Sequence, residues 1–195
     1  MSQIEGDELR GFDNIGWHFG IGAVTTVDKY GNWLLTTEID YTRRGAFNNT
    51  INPNNFKYNI YLPLDYIDIP VTIFYRDPIG NMMIGLGPVY GRLVQQPHEE
   101  IRYSYLYPDT SNMAFLKNDI AIAAELRFKV WRRLEIGLKW QYSVFPIKKD
   151  WLFTERVTTI ETQKWTNNCY NNSVTLRLLW QFGDEPTYKR KRNRK

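Results

Sequence analysis

The stretch Ile15-Gly16-Trp17-His18-Phe19-Gly20-Ile21-Gly22-Ala23-Val24 decides how this chain is read. Side chains alternate along an extended strand. One face of this stretch therefore carries Ile15, Trp17, Phe19, Ile21 and Ala23, and the other carries Gly16, His18, Gly20 and Gly22. Bulky aliphatic and aromatic groups set against glycine and polar groups is the pattern of a strand between lipid and the narrow inside of a barrel.

The same two-residue period returns along the chain. Trp33, Leu35, Thr37, Ile39 and Tyr41 oppose Leu34, Thr36, Glu38, Asp40 and Thr42, and Ile67 to Tyr75 oppose Tyr66, Asp68, Pro70, Thr72 and Phe74. Ile84, Leu86, Pro88 and Tyr90 oppose Met83, Gly85, Gly87, Val89 and Gly91, while Ile120 to Phe128 oppose Asp119, Ala121, Ala123, Glu125 and Arg127. Two further strands run from Leu134 to Tyr142, backed by Glu135, Gly137, Lys139, Gln141 and Ser143, and from Val174 to Phe182, backed by Thr175, Arg177, Leu179 and Gln181. No helical period competes over these stretches. The reading is an all-β, antiparallel, up-and-down transmembrane β-barrel occupying residues 15–182.

Composition alone would mislead. The chain has 195 residues, 43% of them hydrophobic, and a mean hydropathy of −0.49, like an ordinary soluble domain. A barrel strand meets lipid only at every second residue, so low average hydropathy and the lack of a long apolar run are both expected. Aromatic residues make up 15% of the chain, which suits interfacial girdles. The residues expected to face lipid or form girdles are Trp17, Phe19, Trp33, Tyr41 and Tyr75 in the first half, and Tyr90, Trp140, Tyr142, Trp180 and Phe182 in the second.

Links of two lengths alternate. Asp28 to Asn32, Arg76 to Asn81 and Lys129 to Arg133 are short and turn-rich; Arg43 to Lys57, Leu93 to Asn118 and Phe145 to Asn172 are long. Outer-membrane barrels have short periplasmic turns and long external loops, so the long set is expected outside the cell. Glu155 to Trp165 alternates weakly and is expected to extend the last strand outward as a protruding hairpin.

Seven strands are visible, whereas bacterial single-chain barrels have an even number. Residues 1–14 show no alternation and read as the remnant of an external loop. No charged n-region followed by an apolar h-region opens the chain, so no signal peptide is visible. The expectation is that the sequence starts after its signal peptide and after the true first strand. Failing that, residues 1–14 or 153–166 must supply the eighth.

The formal charge of +4 is concentrated in the tail Lys189-Arg190-Lys191-Arg192-Asn193-Arg194-Lys195, without which the body is slightly acidic. With no basic face carrying stacking aromatics elsewhere, this does not read as a nucleic-acid binder. Residues 183–195 are expected to be a basic, disordered extension, at most touching anionic head groups. A single cysteine, Cys169, excludes an internal disulfide framework; its surroundings, Asn167 to Asn172, suggest an unpaired loop thiol.

Chemistry could reside only in the inward polar set: His18, Glu38, Asp40, Asp68 and Asp119, then Glu125, Arg127, Glu135, Lys139 and Arg177. Mixed signs in a barrel of this size point to a lumen filled by paired charges. A catalytic reading would take His18 as a base oriented by Glu38 or Asp40. No nucleophile elbow, phosphate loop or metal-spaced histidine pair supports it, and His98 lies in a long link beside Glu99 and Glu100. No enzymatic activity, cofactor or metal is therefore expected. Tyr103, Tyr105 and Tyr107 alternate in another long link and are candidates for contact with an external partner, but extension of neighbouring strands above the bilayer is the favoured reading.

Four blocks, taken together, carry a resemblance. They are Gly16-Trp17-His18-Phe19-Gly20-Ile21-Gly22, Thr37 to Ala46, Tyr66-Ile67-Asp68-Ile69-Pro70-Val71, and Gly85-Leu86-Gly87-Pro88-Val89-Tyr90-Gly91. In order and spacing the chain resembles the PorT-like outer-membrane β-barrel family. That resemblance implies an eight-stranded barrel of the Gram-negative cell envelope; the name-giving member takes part in type IX secretion. The chain departs from it in lacking the first strand and in carrying a basic tail after Phe182. The expected role is structural or accessory, with a link to secretion that the resemblance implies, and with membrane lipid and envelope or secretion proteins as partners. The alternatives are a soluble lipocalin-like barrel that binds a small ligand, or a narrow pore. Glycines on the polar face argue against the soluble alternative, since open solvent gives no reason for them.

Overall fold

The computed structural model describes residues 1–7, 12, 14–51, 57–77, 81–95, 106–108, 114–156 and 162–183. Its strands are β1 (Ser2–Glu5), β2 (His18–Thr26), β3 (Trp33–Ile51), β4 (Lys57–Arg76), β5 (Met82–Gln95), β6 (Leu106–Pro108), β7 (Asn118–Trp131), β8 (Leu134–Ser143), β9 (Lys148–Arg156) and β10 (Thr162–Trp180). All neighbours pair antiparallel, in the order β2-β3-β4-β5-β7-β8-β10-β9-β6, and β1 pairs β10. The all-β antiparallel class and all seven expected strands are present.

Closure is where the expectation needs correction. The sheet curls round a buried interior but does not join edge to edge: among the described residues β2 pairs only with β3, and the lower part of β10 only with β8. Only at the end away from the short turns is the gap spanned. There β1 lies against β10, with Ser2 opposite Ser173, and Ser2 also bridges to Asn14, just ahead of β2. The first fourteen residues, which read as a loop, thus contain a strand. Ile4 is its one buried apolar side chain, too little alternation to register as a pattern.

The long links also differ from the expectation. Residues 43–51 and 57–65 continue the β3–β4 ladder through Arg43↔Asp65 to Ile51↔Lys57. Arg43-Arg44-Gly45 looks like a turn, but Gly45 holds φ at 135° and the strand runs on through it. A Cβ there would fall 1.9 Å from the Leu62 carbonyl oxygen, so only glycine fits. The hairpin expected around Glu155 to Trp165 is present as β9 and the upper part of β10, and β6 pairs with β9. Cys169 lies in β10, fully buried, rather than in a loop.

The short turns are held locally. Asp28 accepts hydrogen bonds from the Trp33 amide at 3.0 Å and the Tyr30 amide at 3.3 Å. These bonds, that of Trp33 foremost, hold its carboxyl below the ordinary carboxylate range. A depressed folded-state value means that the stabilisation is complete above the unfolded value of about 3.9 and is lost as pH falls through the lower folded one. The Trp33 amide proton should therefore shift in NMR over that acid window. In Asp28→Ala it should stay flat, and a flat wild-type titration would discount the turn contact.

Candidate functional site: a charge-filled interior

Inward side chains meet around two arginine-centred clusters. In the first, Glu38 of β3 accepts from Arg127 of β7 at 2.7 Å and from Arg177 of β10 at 2.5 Å. Glu125 of β7 accepts from the same two arginines, at 2.8 and 2.9 Å. Two acids and two bases thus close a ring that ties β3 to β7 and β10 across the interior. The Arg127 guanidinium also lies 4.3 Å over the Phe74 ring.

The second cluster is built round Arg44. This fully buried side chain forks onto both oxygens of Asp68 at 2.5 Å and reaches Asp119 at 3.2 Å. Asp119 accepts from Asn171 at 3.0 Å, and the Tyr66 hydroxyl accepts from the same amide at 3.2 Å. Between the clusters lies Asp40, with Lys139 Nζ 3.6 Å and His18 Nε2 3.5 Å away, while His18 Nδ1 meets Thr42 at 3.0 Å. Glu135 sits lower, accepting from Gln181 at 3.1 Å.

The structure therefore brings together nine of the ten inward residues named from the sequence, with Glu135 at their margin. Alternation overlooked Arg44, Tyr66 and Asn171, which complete the second cluster. Arg44 and Asn171 fell in stretches that read as loops; Tyr66 has the correct face but offers no charge.

Glycine makes this density possible. A Cβ on Gly20 would meet Asp40 Oδ1 at 2.1 Å, one on Gly91 would meet Asp68 Oδ1 at 2.7 Å, and one on Gly137 would meet Glu125 Oε1 at 2.9 Å. The charged heads occupy the space that those side chains would fill. Gly85 serves Phe74 in the same way, its missing Cβ lying 2.5 Å from the ring. Gly85→Val should cost about 1–3 kcal/mol by overpacking, with partial recovery in Gly85→Val/Phe74→Leu. Equal stability of wild type and single variant in a urea titration would contradict that close packing.

Beyond the Arg44 cluster, away from the short turns, the interior becomes apolar. Ile4, Leu62, Leu64, Leu93, Phe115, Ile147, Trp151 and Cys169 form one buried cluster with Tyr66. Phe115 and Trp151 meet edge to face at 5.9 Å, and Lys148 Nζ lies 4.8 Å from the Trp151 ring. Charges and a dry cluster thus fill the interior in succession, and among the described residues no group of three His, Cys, Asp or Glu side chains could hold a metal ion.

The outer surface is the opposite. Ile21, Ile39, Ile69, Val71, Ile73, Leu86, Ile122, Leu138, Leu176 and Leu178 are exposed, and aromatic groups gather towards the two ends of this aliphatic band. Trp33 and Tyr75 meet at 5.2 Å near the short turns. Towards the other end Trp17, Phe19 and Tyr41 pack together, with Phe19 and Tyr41 stacked at 5.2 Å, and Trp140 stacks on Tyr142 at 6.1 Å. Tyr90, Trp180 and Phe182 are exposed as well; Tyr41 and Tyr142 are half-covered by their ring neighbours. Ile67 to Tyr75 and Ile120 to Phe128 each cover nine residues, within the 9–11 that a tilted spanning strand requires. Tyr103, Tyr105 and His98 lie outside the described residues, and of Tyr107 only its place in β6 is described.

No family model matches the chain, and neither a curated protein nor a solved structure matches it. The fold and this interior are what bear on function.

Proposed function

We propose that the chain is a lipid-embedded outer-membrane β-barrel protein with a structural or accessory role in the cell envelope, neither conducting nor catalytic. One observation carries the reading: apolar side chains point out on β2, β3, β4, β5, β7 and β8 and on the lower part of β10, while the charges are buried inside. A water-soluble barrel would bury the first set and expose the second. Exposed apolar patches on soluble monomers rarely exceed a few hundred Å², whereas this one encircles the sheet. The narrow-pore alternative is opposed by the Glu38–Arg127–Glu125–Arg177 ring, whose members reach across the interior from three strands.

Secretion proteins as partners rest on the resemblance to the PorT-like family alone. The resident function at the membrane can be tested by refolding the chain with phosphatidylcholine vesicles. It should float with the lipid on a density gradient and migrate as a faster band when unheated on a denaturing gel, without single-channel steps. A monomer that stays soluble without detergent would overturn the reading and favour the lipocalin-like alternative.

A further inference from the structure

Hydrogen bonds join the short turns into one rim. The Arg76 amide donates to the Asn32 carbonyl at 2.7 Å, the Lys129 amide to Asn81 at 2.7 Å, and the Gln181 amide to Arg133 at 2.9 Å. The β2–β3 turn is thereby tied to the end of β4, the β4–β5 turn to the end of β7, and the β7–β8 turn to the segment after β10. Charge is one-sided about this rim. The three short links and residues 183–195 carry eleven Lys and Arg against four Asp and Glu, whereas residues 1–14 and the three long links carry ten against ten.

The contacts of the rim's charges narrow the matter to three residues. Asp28 is taken by backbone amides, and Arg76 and Lys129 act on Glu135 at the lower end of the interior. Lys29, Arg132 and Arg133 are exposed, and among the described residues none of the three meets a carboxylate. At the opposite end the outward charges nearest the aromatic groups are satisfied within the protein. Arg43 forks onto Asp65 at 2.7 Å, Arg92 donates to Asn118 at 2.6 Å, and Glu5 accepts from Tyr142 and Asn172 at 2.9 and 2.7 Å.

We propose that this rim binds anionic phospholipid headgroups through Lys29, Arg132 and Arg133, an inference that rests on the lipid-embedded reading above. Depth decides the partner. Trp33 and Tyr75 pack together just above the rim, Trp180 is exposed at the end of β10, and Trp131, 66% exposed, directly precedes Arg132 and Arg133. Tryptophan and tyrosine settle at headgroup level, so cations immediately beyond them stand among the phosphates. Arginine grips such a group with two parallel N–H donors, and choline's positive charge, which would oppose it, is missing from an anionic lipid. An acidic protein would answer the three charges but gives no reason for exposed tryptophan beside them. The chain passes from β10 into Gly183 at this rim, and the run Lys189 to Lys195 begins six residues later, starting from the side that is already basic.

The test reconstitutes the whole chain in phosphatidylcholine vesicles and follows trace spin-labelled lipid by electron paramagnetic resonance, which separates lipid held at the protein from free lipid. At low salt, spin-labelled phosphatidylglycerol should be held about three- to fivefold more strongly than spin-labelled phosphatidylcholine, the scale of one Lys or Arg near an anionic group. At 1 M NaCl, where the Debye length is about 3 Å, the two should be held nearly alike. Lys29→Gln/Arg132→Gln/Arg133→Gln should lose most of the preference, and Lys117→Gln/Lys149→Gln/Lys164→Gln, three exposed lysines towards the other end, should keep it. Held lipid without a preference, or a preference that survives the first triple substitution, would overturn the inference and leave the lipid-embedded reading standing. No held lipid of either kind would overturn both. Equal holding of the two lipids, together with binding of polyglutamate to detergent-refolded chain that needs Lys29, Arg132 and Arg133, would assign the rim to an acidic protein instead.

Discussion

Arg44→Met should lose on the order of 3–5 kcal/mol of folding free energy, the range found when one partner of a buried ion pair is removed. The reason lies in what stays behind. Asp68 and Asp119 are essentially without exposure, and both depend on this guanidinium, at 2.5 and 3.2 Å. Without it two carboxylates face each other's charge in a site that water does not reach, with the Asn171 amide as the remaining donor to Asp119. Methionine keeps much of the side-chain volume, so a loss of this size reports charge rather than a cavity. Arg44→Met/Asp68→Asn/Asp119→Asn should recover most of it, since removing all the charges together is often close to neutral. The neighbouring Arg43 makes an equally short contact with Asp65, at 2.7 Å through both nitrogens, yet its side chain is 30% exposed. Asp65 is itself only 3% exposed, but it keeps a hydrogen bond from Tyr41, so Arg43→Met should cost less than Arg44→Met, about 1–3 kcal/mol. Urea titrations of detergent-refolded protein give both values. If adjacent Arg43 and Arg44 variants lose the same amount, burial is not what makes the interior network matter.

The contrast between these two arginines shows how far sequence reading reaches in this fold. Two-residue alternation exposes faces, and Glu38, Asp40, Asp68, Glu125, Arg127, Lys139 and Arg177 were legible as an inward set because each sits between outward neighbours that are apolar in every case but Thr37. Which acid takes which base was not legible. Arg177 meets Glu38 from the far side of the interior, and such partners depend on how registers add up across several ladders rather than on any local spacing. Arg44 was hidden by Gly45, whose positive φ lets a strand continue where composition says turn. The seam was visible as an odd strand count, but the place of β1 at its upper end needed the pairing of Ser2 with both Ser173 and Asn14.

Leu86→Arg should have opposite consequences in the two environments the exterior could occupy, and so separates them. Leu86 sits midway along β5, pairs with Ile73 and Ala124, and is more than half exposed. In a protein surrounded by water, replacing an exposed leucine with arginine is a surface change, worth within about ±0.5 kcal/mol, and it would improve solubility by breaking an apolar band. In a bilayer the same side chain lies near the midplane, where arginine costs about 2–4 kcal/mol. Phe128→Arg, at the end of β7 beside the short turn, supplies the depth control: near the interface the cost falls to about 0–1 kcal/mol. The expected result is therefore a graded loss in vesicle-refolded protein, large for Leu86→Arg and small for Phe128→Arg, followed as the urea midpoint of the fast-migrating band. Equal, near-zero effects at both depths would remove lipid from the account of this surface, leaving the buried charges as an ion-paired core wrapped by an apolar sheet that some other partner must cover.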